Sequence, residues 1–99
     1  MASDITLLIF DPRKGAMARK RWLGMSRTRD NARRVLGNAT PIRRGYECWT
    51  NIAPEDAITI VESTYAEARY LGGAHPEEIR QYAVEFPSPM YWWIIEHDF

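Results

Sequence analysis

Ile5 to Phe10 is a short, nearly continuous apolar run of strand-forming residues, stopped by the turn chemistry of Asp11-Pro12-Arg13-Lys14-Gly15. A run that is apolar on both faces predicts a strand in the interior of a sheet. From Met17 to Met25 the period changes to strict alternation. Met17, Arg19, Arg21, Leu23 and Met25 then share one face, opposite Ala18, Lys20, Trp22 and Gly24, and a hairpin partner for the first strand is expected, with a helix as the other reading. Ser26, Thr28 and Asp30 offer helix caps, and Ala32, Val35, Leu36 and Ala39 recur at helical spacing around Gly37. The spacing predicts a short amphipathic helix over 28–37.

Pro41 opens a new unit. Ile42, Arg44, Tyr46, Cys48 and Thr50 alternate with Arg43, Gly45, Glu47 and Trp49, which predicts a third strand ending at Asn51 or Ile52. Pro54-Glu55-Asp56 puts a proline and two acids where a helix start favours them, and Ala57, Ile60, Val61, Thr64, Tyr65, Ala68 and Leu71 follow at helical spacing up to Gly72-Gly73. His75-Pro76-Glu77-Glu78 repeats the start signal before Ile79, Tyr82, Ala83 and Phe86. A third helix is preferred there, although Gln81–Phe86 also fits a strand. Met90 to Phe99 is apolar on both faces, through Trp92 and Ile94 on one and Trp93 and Ile95 on the other, and predicts a closing strand. Its Tyr91-Trp92-Trp93 run is expected to fill the core beneath the long helix; the other reading is a homodimer or partner interface.

The expected fold is therefore α+β: one domain over residues 1–99, a mostly antiparallel sheet of about four strands, with the helix 54–71 on one face and the helix 28–37 beside it. Ninety-nine residues suffice for one core and not two. Apolar content of 45% with 12% aromatics is globular. The single cysteine, Cys48, cannot form an internal disulfide. The apolar run Ile5–Phe10 is too short for a signal peptide, and no run approaches the ~20 residues that span a bilayer. These features predict a soluble cytoplasmic protein with no membrane partner.

Charge changes the picture most. Residues 1–45 hold eleven basic residues against three acids, a formal +8, and residues 46–99 hold two against ten, a formal −8. A neutral total thus conceals two opposed halves, which points either to a charged partner or to halves that neutralise each other in the fold. Arg19, Arg21, Arg33, Arg34, Arg43 and Arg44 are the candidate contacts to a nucleic acid or a nucleoprotein partner, with Trp22 and Trp49 able to stack on unpaired bases. Acids such as Glu55, Glu62 and Glu77 carry the converse idea, a face filling a partner's basic groove, although acids at helix starts ordinarily serve as caps.

Catalytic chemistry finds little purchase. His97 lies between Glu96 and Asp98, but along a strand both neighbours point to the opposite face. His75, His97 and Cys48 lack metal-ligand spacing, so no metal and no cofactor are expected. The enzymatic version to weigh is a small ribonuclease using His97, an arginine and a carboxylate such as Glu85.

The opening Ile5–Lys14 strand and turn, the polar hairpin, and Thr28-Arg29-Asp30-Asn31-Ala32-Arg33-Arg34-Val35-Leu36-Gly37 together resemble the strand–strand–helix start of many small phage-encoded proteins, some anti-CRISPR proteins among them. The likeness covers about a third of the chain, and the residues from Arg43 onward are outside it. It implies a small non-enzymatic inhibitor that sits on a host crRNA-guided surveillance complex or its nuclease and blocks DNA recruitment or cutting. It carries over no functional residue. The alternative expectation is a DNA- or RNA-binding accessory or regulatory protein acting through the same six arginines.

Overall fold

The computed structural model describes residues 4–68 and 73–99. The chain runs β1 (Ile5–Asp11), β2 (Ala16–Gly24), α1 (Arg27–Leu36), β3 (Cys48–Asn51), α2 (Pro54–Ala68), α3 (Pro76–Glu85) and β4 (Trp92–His97). The strands form one antiparallel sheet in the order β2-β1-β4-β3. This is the expected α+β domain, and the two runs that are apolar on both faces, β1 and β4, occupy its centre. Position explains the pattern: a central strand is paired on both edges and packed from at least one side, so polar residues have nowhere to go.

One face of the sheet carries the helices. Ile5, Leu7 and Ile9 of β1 join Trp93 and Ile95 of β4 and Leu23 of β2 in a core with Ile60 and Val61 of α2 and Ile79 of α3. Burying one such aliphatic side chain contributes about 1.5–3 kcal/mol, so this face supplies most of the drive to fold. The indole N–H of Trp93 donates to the Phe86 carbonyl at 2.9 Å, fixing β4 to the end of α3. Residues 76–85 are helical, which resolves the helix-or-strand ambiguity. His75 caps α3 by accepting the Glu77 N–H on Nδ1 at 3.2 Å, and Pro76 takes the position whose N–H needs no partner.

Three expectations need correction. The third strand does not run from Ile42: only Cys48–Asn51 pair with β4. The segment before it turns back on itself at Gly45, so that Arg43 bridges Trp49 across a short hairpin at the sheet edge. The Tyr91-Trp92-Trp93 run is not core throughout; Trp93 is 3% exposed and Trp92 57%. In β2 the alternation is broken by a register shift, which sets Met17 opposite Phe10 and Arg19 opposite Ile9. Met17 therefore leaves the face it was expected to share with Arg19. The expected continuation of α2 to Leu71 lies outside the described residues.

Candidate interaction surfaces

The folded chain interleaves its two charged halves. β2, from the basic half, lies under α3, from the acidic half: Arg21 donates to both Glu78 oxygens, at 2.6 and 3.0 Å, and Arg19 sits over the rings of Tyr82 and Phe86 at 5.3 and 5.7 Å. The Arg21 guanidinium holds the Glu78 carboxyl below its ordinary pKa, and that carboxylate in turn holds Arg21 further above its own. Tyr82 also donates to Glu78, and burial together with that bond raises its phenol. At the other edge α1 meets the C-terminus: Arg29 donates to Asp98 at 3.0 Å, and Arg29 and Arg33 both lie over the Phe99 ring.

The six candidate arginines are therefore not one patch. Arg19 and Arg21 belong to the β2–α3 seam, where a charged edge strand also discourages edge-to-edge pairing. Away from that seam, Arg33 and Arg44 meet around Phe99, Arg33 over its ring and Arg44 in the same cavity, with Arg34 beside Arg33 in the last turn of α1 and Arg43 beside Arg44 in the 38–47 segment. Arg33 and Arg34 stand in the last turn of α1, where cations favour the helix dipole. Arg43 lies 4.6 Å over the Trp49 ring. Arg44 lines a cavity of about 270 Å³ with Leu36, Asn38, Thr50, His97 and Phe99. Among the described residues none of these four has a carboxylate within 4.0 Å.

His97 forms the floor of that cavity and is 2% exposed. Its Nδ1 accepts the Phe99 N–H at 3.3 Å, so the neutral ring carries its proton on Nε2 and donates it to Thr50 Oγ1 at 2.7 Å. Burial pushes the imidazolium below its ordinary pKa. The ring thus spends both nitrogens inside the protein. The ribonuclease arrangement is assembled only in part, since Arg44 shares the cavity and Glu85 does not. Among the described residues no group of three His, Cys, Asp or Glu side chains converges to hold a metal ion.

The sheet face away from the helices escaped the sequence reading as a unit. Leu8 and Ile94 pair across the two central strands and are 1% and 3% exposed, yet they lie outside the helix-packed core. Around them stand Phe10, Trp22, Trp49 and Trp92. Two of the indoles are held by carboxylates: Trp22 donates to Asp4 at 3.1 Å and Trp49 to Glu96 at 2.8 Å. Phe10 and Trp49 are 5.6 Å apart between ring centres. The signal was present as alternation in β2 and β4, but their mutual register, which assembles the rings, is not written in either strand.

No helix among the described residues is long and apolar enough to cross a membrane. No family model matches the chain, and neither a curated protein nor a solved structure matches it.

Proposed function

We propose that this protein is a non-enzymatic binding protein of the phage or mobile-element kind, which inhibits a host nucleoprotein complex in the manner of an anti-CRISPR protein, and that its contact surface is the basic end. One observation supports the reading: Arg33 and Arg44 meet around Phe99, with Arg34 beside Arg33 in the last turn of α1 and Arg43 beside Arg44 in the chain, and among the described residues none of the four has a carboxylate partner, while Arg21 and Arg29 are committed to Glu78 and Asp98. A guanidinium with no ion pair to break meets a phosphate or carboxylate directly, and its planar fork suits bidentate contact with either. The second reading, direct binding of nucleic acid, draws on Arg43 seated on Trp49, a cation and a ring side by side.

The test combines titration and capture. Gel shifts and light scattering against single- and double-stranded DNA and RNA, at low and physiological salt, precede use of the protein as bait for a crRNA-guided complex. The inhibitor reading expects the complex to be retained, and lost when Arg33→Glu and Arg34→Glu are combined. Retention of naked nucleic acid alone, with a steep salt dependence that the same variant flattens, moves the function to the second reading. Retention of neither overturns both.

A further inference from the structure

We infer that the helix-free face of the sheet is a stacking platform for single-stranded nucleic acid, with Trp22 and Trp92 as its exposed rings. The inference takes the class of partner from the nucleoprotein reading, but it places the contact on a different surface from the basic end.

An apolar sheet face in a small domain is normally covered, and here every helix packs on the other side. Yet Trp22 and Trp92 remain 39% and 57% exposed, with Met17 at 43%. Exposed indoles flanking a dry apolar centre mark a binding surface more than a solvated one.

Charge selects the occupant. The exposed acids of α2 and α3, Glu55, Glu62 and Glu77 among them, belong to the helical layer and not to this face. The cations that do belong to it are Lys20, paired in register with Leu8, and Arg43, over Trp49. Neither has a carboxylate partner among the described residues. The two carboxylates on this side, Asp4 and Glu96, accept from Trp22 and Trp49 and so fix the planes of those rings. One exposed ring held in place at Trp22, a second at Trp92 and cations without carboxylate partners among the described residues suit an unpaired strand, whose bases offer π-faces and whose phosphates need positive charge. A duplex offers only stacked bases and a backbone, and it would leave the rings unused.

The platform meets the basic end at Arg43, which gives the two surfaces separable tests. A fluorescently labelled oligothymidylate of about twelve nucleotides, long enough to cross one such face, is titrated by anisotropy at low salt, beside a duplex of the same length. The wild type is expected to prefer the single strand. Trp22→Ala with Trp92→Ala should weaken that binding about tenfold or more, and Trp22→Phe with Trp92→Phe should restore most of it, since a phenyl ring still stacks. Thermal melting of each variant confirms folding, which exposed positions tolerate. Arg33→Glu with Arg34→Glu should instead weaken single strand and duplex alike.

Absence of oligothymidylate binding by the wild type overturns the inference. So does unchanged affinity in the double alanine variant, or a wild-type dimer that this variant dissociates, which would give the face to a second copy of the chain. Capture of a nucleoprotein complex that survives Trp22→Ala and Trp92→Ala but not Arg33→Glu and Arg34→Glu sinks the platform and leaves the basic-end reading standing.

Discussion

Thr50 and His97 show how much one buried polar pair decides. The His97 Nε2–H has no acceptor among the described residues other than Thr50 Oγ1, so Thr50→Val leaves a buried donor unsatisfied and should cost about 1–3 kcal/mol in urea denaturation. Thr59 makes a hydroxyl bond of similar length, to the Glu55 carbonyl, but at an exposed position, and Thr59→Val should cost under about 0.5 kcal/mol. The same burial makes stability depend on pH. Because the folded ring resists protonation, the unfolded chain binds the proton first, near its ordinary pKa of about 6.5. Stability should be fully present above that value and fall as pH drops from it through the lower folded pKa. His97→Gln should remove the slope in that window; an unchanged slope would mean that other groups produce it. The sequence offered His97 as a histidine between two acids, and its real partners, Thr50 on another strand and the backbone of Phe99, have no local signature. Cys48 is half-buried and free.

The elements were legible where a local rule and the tertiary environment agree. β1 and β4 read as interior strands because each is paired along both edges and apolar on both faces, and α2 and α3 read from proline and acids at their starts. Legibility failed where an element depends on its neighbour. The 42–47 segment alternates like a strand, but Cys48 already pairs with His97, the last residue of β4, and the segment folds back so that the Trp49 N–H finds the Arg43 carbonyl at 2.9 Å. Alternation alone cannot report that a partner is missing. Gly73 is a second dependence of this kind. It was expected only as a helix stop, whereas its φ of +86° brings its Cα against β2, so that an added Cβ would stand 2.3 Å from the Leu23 carbonyl oxygen. Gly73→Ala therefore combines backbone strain with a backbone collision, and should destabilise by about 3 kcal/mol in the same denaturation assay. Gly15→Ala, at φ +62° in a turn with open space around it, carries only the strain and should cost about 1 kcal/mol.

At the scale of the whole molecule the opposed halves found in the sequence resolve into two classes of cation. The division was not legible, because chain order places the halves side by side while the fold crosses them, α3 over β2 and α1 against the C-terminus. Arg21 and Arg29 close those crossings with ion pairs, whereas Arg33, Arg34, Arg43 and Arg44 make no ion pair among the described residues. Stability and binding should therefore separate between the classes. Arg21→Glu replaces a bidentate pair with a carboxylate facing the Glu78 carboxylate at a seam that is partly desolvated, whereas Arg21→Ala only removes the pair. The alanine change should be small, under about 1 kcal/mol, because both partners are about a third exposed. The glutamate change should be larger, and Glu78→Arg in the same chain should recover part of it. Arg33→Glu and Arg34→Glu break no ion pair among the described residues; they oppose the dipole at the end of α1, which costs about 0.3–1 kcal/mol each, and Arg33→Glu also gives up the cation over the Phe99 ring. Urea midpoints for these variants, set beside their affinities for the captured complex or the oligonucleotide, test the division directly. The expected result is a stability loss without a binding loss at Arg21 and the reverse at Arg33 and Arg34. Equal losses of both kinds at both positions would mean that the basic surface is one structural unit and that the free end is not a contact site.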